Sequence, residues 1–248
     1  MPAIWSTAKL CLACLAVATP VLAEAARALP PTPEAAMARF VTLNNARGLA
    51  SAEGKALLAG ELDSADTPGL GELAPADRIV RIGADSAVAR IPAGADGAPD
   101  LYWFLERRDG GWSLVGMRTL ALTGVLVEMR RLLLAQPSRT ADEEAILRNA
   151  ELTLAPDRKL LAWAAAHRQL LAQVRAAPGS AETERAVRAA GGNRSWREGG
   201  NVFLSIGGIL DNVVGFLLPD AGPPPAMDSS GYIWIEPAVD GWYLFKTT

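Results

Sequence analysis

Apolar residues near the start of the chain recur at intervals of three and four, the spacing of a helix that buries one face. The pattern begins after Thr32 and Pro33, a capping residue followed by a proline suited to the first helical position. It predicts a helix over residues 33–47 and a shorter one over residues 51–61. Asn44 interrupts the apolar face of the first helix, so it either ends the buried stripe or offers a polar group to a site.

The spacing then changes to two, which is typical of strands that bury one face. Turns rich in Gly, Asp and Pro separate four such runs, at residues 78–82, 86–91, 100–106 and 112–120. They predict a meander, in which strands that follow one another along the chain are also neighbours in the sheet.

Helical spacing returns in the middle third and predicts helices over residues 125–135, 140–152, 156–176 and 180–190. Thr140 and Glu143 form a capping box at the start of the second of these. His167, the only histidine, lies on the apolar stripe of the third, which favours a packed side chain over a catalytic base. Two-residue alternation resumes at residue 201 and continues to the end of the chain.

The final strand pair repeats an earlier one. The final pair, residues 231–248, aligns without a gap to the earlier copy, residues 101–115, and the matches include Tyr102 with Tyr232, Glu106 with Glu236, Trp112 with Trp242 and Leu114 with Leu244. Repetition of helices followed by strands predicts an internal duplication. The fold class is therefore α+β, with two tandem modules, each of helices packed on a four-stranded antiparallel meander. The predicted modules are residues 34–122 and 139–248, joined by a linking helix at 123–138.

The late hairpin, with Tyr-x-x-x-Glu followed by Asp-Gly-Gly-Trp-x-Leu, resembles the cystatin-like cone of the nuclear transport factor two superfamily. The resemblance covers residues 34–122 and, more faintly, residues 140–248. It implies a curved sheet covered by helices, in a superfamily of small-molecule binders, isomerases and many proteins of unknown role. The acid and histidine pairs that its enzymes place inside the cone have no clear match, so the resemblance implies no catalytic residue.

Residues 1–23 have the pattern of an export signal, with Lys9 before an apolar run that is too short to span a bilayer. Residues 24–33 are rich in Ala and Pro and read as a tether. We expect a periplasmic or secreted protein. Cys11 and Cys14 both fall inside the signal, so the mature chain would contain no thiol and no disulfide. A lipoprotein anchor at Cys14 is the alternative.

The charge pattern excludes several classes of protein. The 24 basic and 27 acidic residues give a formal net charge of −3, and no basic stripe predicts nucleic-acid binding. After the signal, no segment is apolar and long enough to cross a membrane. No spacing of histidines or acids suggests a metal site, and no motif suggests a cofactor.

Aromatic residues of the two hairpins are the candidate ligand-binding groups: Tyr102, Trp112, Tyr232, Trp234 and Trp242. The polar candidates are Asn44, Asp85, Glu106, Asp211 and Glu236.

In the last hairpin, the residues that share a face of the sheet depend on whether the loop has an even or an odd number of residues. An even loop puts Trp234 on one face with Tyr243 and Phe245. An odd loop puts it with Leu244 and Trp242 instead. Both faces are apolar in either case, so one should pack on helices and the other should line a pocket or meet a second surface.

Three functions fit these observations. The first is a non-enzymatic exported module that binds a partner protein or a small apolar ligand through concave sheet faces. The second is an envelope hydrolase or isomerase that uses acidic residues inside a cone. The third is a structural domain that forms a homodimer. A cavity against the sheet would favour ligand binding, and a filled interior would favour assembly.

Overall fold

The computed structural model describes residues 28–62, 70–92, 99–120 and 122–248. The predicted export signal, its two cysteines and the first part of the tether lie outside these residues. The described residues form seven α-helices and two antiparallel sheets, of four and five strands, so the predicted α+β class is confirmed.

The helices are α1 (Pro33–Asn45), α2 (Ala52–Leu57), α3 (Thr123–Leu134), α4 (Ala141–Thr153), α5 (Asp157–Ala166), α6 (Arg168–Ala176) and α7 (Ala181–Ala189). The strands are β1 (Arg78–Arg81), β2 (Ser86–Ile91), β3 (Leu101–Arg108), β4 (Gly111–Arg118), β5 (Arg194–Glu198), β6 (Asn201–Ile209), β7 (Asn212–Pro219), β8 (Tyr232–Pro237) and β9 (Tyr243–Thr247). Among these residues no helix has the length and hydropathy needed to cross a bilayer.

The chain divides into two compact units. The first contains the described residues up to Leu73 together with Leu105–Val115. The second contains Ala74–Phe104 and Gly116–Thr248, and therefore holds most of the helices and the whole five-stranded sheet. The predicted modules are drawn at other boundaries, and they stay a prediction about the ancestry of the chain.

In the first unit, helix α1 begins as predicted. The Thr32 hydroxyl accepts a hydrogen bond from the Ala35 N–H at 3.2 Å, and proline occupies the first helical position. The predicted apolar face is buried, and it includes Asn44. Pro30 is also buried, and its carbonyl accepts from the Trp112 N–H at 2.8 Å, so the last residues of the predicted tether pair with the fold.

The predicted helix over residues 51–61 is shorter than expected. Helix α2 ends at Leu57, and a 3-10 turn follows at Gly60–Leu62. The reason is local pairing, because the Ala59 N–H donates to the Leu114 carbonyl at 2.8 Å and Leu58 forms a parallel bridge with Leu114. Leu58 therefore has an extended backbone, which ends the helix.

The four-stranded sheet has the order β1-β2-β3-β4, so the predicted first meander is confirmed. The second sheet differs from the prediction, since it has five strands in the order β5-β6-β7-β9-β8. Strand β5 was missing from the sequence prediction because charged residues dominate it, and only Ser195 on it is buried. The last hairpin also enters the sheet through its second strand, β9, which leaves β8 at the edge.

The hairpin β8–β9 has the register of an odd loop. Ile235 pairs with Phe245, whereas Trp234 pairs with Lys246, so the tryptophan shares a face with the lysine. A register shift between Tyr232 and Trp234 then moves the tyrosine to the opposite face. There its ring meets the Phe245 ring edge-on, with the centroids 5.9 Å apart.

The helical layer of the second unit packs on this sheet, with α4 and α6 against β6 and α5 against β9. The predicted helix over residues 156–176 is broken at His167 into α5 and α6. The His167 ring stacks on Trp163 at 4.1 Å, and its Nδ1 donates to the Trp163 carbonyl at 2.8 Å. The single histidine is thus a packed residue at a helix break, as its position on the apolar stripe predicted.

Candidate functional site

A cluster of charged and polar side chains is buried in the second unit. We call it the buried polar cluster, and its members are Arg90, Tyr102, Asp157, Glu236 and Lys246, which are all at most 9% exposed. They come from strands β2, β3, β8 and β9 and from the first residue of helix α5. Residues far apart in sequence therefore converge on one point of the core.

Arg90 connects the carboxylates of the cluster. Its Nη1 lies 2.9 Å from Asp157 Oδ2 and 2.6 Å from Glu236 Oε1. The other edge of the guanidinium makes a bidentate pair with Asp77, at 2.9 and 3.1 Å. Glu236 also accepts a hydrogen bond from the Trp234 indole at 3.1 Å, and its second oxygen lies 3.2 Å from Arg78.

Asp157 is the centre of the cluster. Its carboxylate accepts a hydrogen bond from the Tyr102 hydroxyl at 2.9 Å and lies 2.7 Å from Lys246 Nζ. The ammonium contact is short, but its direction falls outside hydrogen-bond geometry, so we treat it as an attraction between charges. The backbone N–H of Asp157 donates to Asp100 at 2.8 Å, which places a second carboxylate at the N-terminus of helix α5.

The environment shifts the pKa values of these groups in different directions. Burial acts to raise the pKa of Asp157, but Lys246 and Arg90 outweigh it and hold that pKa below its usual value. Burial and the charge of Asp157 raise the pKa of Glu236. Burial and the same carboxylate hold the pKa of Tyr102 well above its usual value. The cluster thus favours an ionised Asp157 and a protonated tyrosine.

Only Tyr102, Trp234 and Glu236 of this region were among the predicted site residues. Arg90 and Lys246 were missed, although each is a lone cation in an apolar strand, in the runs Ala-Val-Ala-Arg-Ile and Tyr-Leu-Phe-Lys. A cation that is buried in an apolar strand needs a partner of opposite charge, so these two runs indicate a buried charged cluster. Asp157 gave no comparable signal, because an acid in the first turn of a helix is ordinary.

The five aromatic candidates lie in packed surroundings. Tyr102 and Trp234 are fully buried and stack on each other with ring centroids 5.1 Å apart. Trp112 and Trp242 are each 2% exposed, and Tyr232 is half-buried. None of the five lines either of the two clefts described below. Each of them packs against neighbouring side chains, and ligand binding by these five residues stays a prediction.

The polar candidates are not brought together. Glu106 is partly exposed and pairs with Arg108 at 2.7 Å, while Asp85 and Asp211 lie exposed in turns. Asn44 donates to the Gly71 carbonyl at 2.8 Å and lines a cleft of about 780 Å³ in the first unit. That hydrogen bond ties helix α1 to the segment at residues 70–73, which is a structural role.

A second cleft, which we call the helix cleft, opens among helices α4 and α5 and the end of α7. Its volume is about 370 Å³, and it is lined by Arg148, Glu151, Leu152, Ala155, Lys159, Leu160, Trp163, Ala190 and Gly191. The size falls in the range of small-molecule sites, about 300–1,000 Å³. The sequence prediction did not include this cleft, because its lining comes from three separate helices.

The helix cleft has an apolar floor. The Trp163 ring is held between neighbours, 4.1 Å from the His167 ring and 5.7 Å from the Phe216 ring. Leu160 is fully buried, and Ala155 is 7% exposed. The end of helix α7 makes room for the cleft, because Gly191 has a left-handed backbone and carries no side chain to fill it.

No metal site is evident in residues 28–62, 70–92, 99–120 and 122–248, where no three His, Cys, Asp or Glu side chains are placed to hold an ion. Comparison of the chain with models of protein families, with curated proteins and with solved structures gave no match. The resemblance to the cystatin-like cone stays a prediction.

Proposed function

We propose that the chain is an exported, non-enzymatic binding module that holds a small ligand with an apolar body in the helix cleft. The observation that carries this proposal is the cleft itself, which combines a tryptophan floor with a volume of about 370 Å³. The proposal keeps the binding role expected from the sequence. It moves the ligand from the sheet faces, where side chains pack, to the helical layer.

The buried polar cluster supports a binding role over a catalytic one. Asp157 and Lys246 have the chemistry of acid and base groups, yet both have no exposed surface. Their charges act on one another and on Arg90 and Tyr102, so a substrate atom would have to displace a packed partner. We assign the cluster to holding β8, β9 and helix α5 together.

The export part of the proposal rests on residues 1–23. Its test is the mass of the chain recovered from the envelope fraction of an expressing cell. A protein that starts at residue 24 supports export. An uncleaved chain that stays in the cytoplasm contradicts it.

Ligand binding is tested with three probes that share an octyl chain: octanol, octanoate and octyltrimethylammonium. Binding of any of them should shift the amide resonances of residues in α4, α5 and the end of α7. Ala190→Trp fills the cleft and should abolish these shifts, because Ala190 lines it. Ala189→Trp is the matched control, since Ala189 is exposed and lies outside the lining. Shifts that persist in Ala190→Trp would contradict the site.

A second candidate is self-association, and the exposed side chains of helix α3 favour it. Val125 and Leu132 are 50% and 52% exposed, and Leu122, the residue just before the helix, is 43% exposed. Within the helix, Val125, Met129 and Leu132 form a stripe at spacings of four and three beside the buried Leu126. Such a stripe fits a second copy of itself in antiparallel pairing, with Val125 against Leu132 of the other copy.

A contact between two helices of this length is small, so the dimer should be weak and dissociate on dilution. Sedimentation velocity over a range of concentrations should show association by the wild-type chain and a monomer for Val125→Asp. Arg131→Gln, an exposed change on another face of the same helix, should associate like the wild type. A wild-type chain that remains monomeric at high concentration would remove this candidate.

A further inference from the structure

The rim of the helix cleft carries two cations. Arg148 and Lys159 both line the cleft and are exposed at its edge. Neither forms an ion pair with a carboxylate in the part of the chain that the structure describes. Most other arginines near helices in the second unit do have such a partner, as Arg130 has in Glu151 and Arg139 in Glu144.

Packing places the Arg148 side chain over the end of helix α7. A Cβ atom built on Gly191 would lie 3.8 Å from Arg148 Cδ and 3.9 Å from Leu152 Cδ1. The aliphatic stem of the arginine therefore packs beside the apolar wall, and its charged group remains at the rim. Lys159 lies in the first turn of helix α5, where the N-terminal end of the helix dipole adds positive potential.

One carboxylate shares the rim, and it reduces the positive charge without cancelling it. Glu151 lies 3.9 Å from the guanidinium of Arg130, so part of its charge is already balanced by a residue outside the lining. The three charged lining residues, two basic and one acidic, leave a net charge of +1. A ligand that carries a negative group at one end of an apolar body matches this arrangement.

We propose that the ligand of the helix cleft is a small amphipathic anion. Its carboxylate, sulfonate or phosphate group lies between Arg148 and Lys159, and its apolar body lies along Leu152 and Trp163, over the buried Leu160. This inference rests on the proposed function and adds the chemical class of the ligand to it. Guanidinium and ammonium groups bind all three anionic head groups. The cleft therefore specifies a negative charge on an apolar body and does not distinguish among the three heads.

The octyl probes separate the class of ligand from the existence of the site, because they share one apolar body. At neutral pH and low salt, octanoate should bind at least about 10-fold more tightly than octanol. Octyltrimethylammonium should bind more weakly than octanol. The preference for octanoate should shrink as sodium chloride is raised, since salt screens exposed charges. Isothermal titration and amide shifts give the dissociation constants.

Variants of the rim complete the test. Arg148→Gln with Lys159→Gln should remove the preference for octanoate while octanol binding stays within about 2-fold. Arg158→Gln is the matched control, because Arg158 is the exposed neighbour of Lys159 on helix α5 and does not line the cleft. Its octanoate affinity should equal that of the wild type.

The possible outcomes distinguish failure of the anionic class from failure of the binding site itself. Equal affinity for octanoate and octanol, with loss of both in Ala190→Trp, would overturn the anionic class and leave the binding site in place. Tighter binding of octyltrimethylammonium would also overturn it. If none of the three probes shifts cleft resonances, both the site and the class of ligand are wrong.

Discussion

Glu106 and Glu236 occupy the same place in the two matching hairpin sequences, yet they lie in different surroundings. Glu106 is partly exposed and pairs with Arg108, two residues further along its own strand. Glu236 is 1% exposed and contacts Arg90, Trp234 and Arg78. The two hairpins share a few matching residues, but Ala238 stands where Arg108 pairs with Glu106, so no equivalent partner follows Glu236 on its own strand. The strands and the helix that surround Glu236 account for the rest of the difference.

The two hairpins also enter their sheets differently. Strand β3 lies inside the four-stranded sheet with β4 at its edge, whereas β9 lies inside the five-stranded sheet with β8 at its edge. Trp112 lies within β4, but Trp242 lies just before β9. The same sequence pattern thus forms two hairpins of unlike position, and the structure does not confirm the duplication.

Removal of the central carboxylate should give the largest effect on the second hairpin. Asp157→Ala leaves Arg90 and Lys246 buried without their shared partner, which should lower the free energy of unfolding by about 3–5 kcal/mol. Urea denaturation measures the loss. Asp142→Ala, an exposed acid in the first turn of helix α4, is the control and should cost less than about 1 kcal/mol. Equal losses would mean that the cluster does not anchor the hairpin.

Truncation of the tryptophan beside β9 should lower the stability of the fold by a similar amount. Trp242 is 2% exposed, so Trp242→Ala should destabilise the chain by about 3–5 kcal/mol as a core truncation. Trp196→Ala, which removes a half-buried ring stacked on Phe203, should cost only about 1–2 kcal/mol. Thermal melting compares them. An unchanged melting temperature in Trp242→Ala would contradict the packed position of this residue.

Loss of the tyrosine hydroxyl isolates one contact of the cluster. Tyr102→Phe removes the hydrogen bond to Asp157 and keeps the ring that stacks on Trp234. Because the acceptor is charged, the expected loss is about 1.5–3 kcal/mol. Tyr243→Phe is the control, since no hydrogen bond or electrostatic contact of its hydroxyl stands among the described residues, and it should be near neutral. A neutral Tyr102→Phe would show that the hydroxyl contributes nothing to stability.

The same tyrosine makes stability depend on alkaline pH. The folded chain holds the pKa of Tyr102 well above 10.0, mainly through burial and the charge of Asp157. In the unfolded chain the phenol ionises near pH 10. Above that pH the unfolded state loses a proton that the folded state keeps, so stability should fall as pH rises. Absorbance at phenolate wavelengths should show Tyr102 ionising only with unfolding, and Tyr102→Phe should weaken the decline.

The direct comparison of the two glutamates should give the smallest changes. Glu236→Gln keeps an acceptor for Arg90 and Trp234, and burial already disfavours the charge of this residue, so the loss should be about 1–2 kcal/mol. Glu106→Gln removes a partly exposed ion pair and should change stability by less than about 0.5 kcal/mol. Similar values for both would mean that the two hairpins are energetically alike.

The sequence by itself determined the local structure. Thr32 with Pro33 fixed the start of helix α1, Thr140 with Glu143 fixed the start of α4, and Gly191 with Gly192 marked the end of α7. These signals are readable because they act within one turn of chain. Short apolar runs bounded by turn residues predicted eight of the nine strands, and most of these strands are buried on both faces.

Tertiary structure alone decided the order of the second sheet, the members of the buried polar cluster and the place of the helix cleft. Strand β5 and the inward position of β9 depend on which edges meet, and local alternation carries no information on that. Asp157 is central because two sheet cations happen to converge on one helix start, and nothing within its own turn of helix reveals it. Long-range contacts set these features, because burial and charge pairing depend on all the neighbours of a residue and not on its sequence position alone.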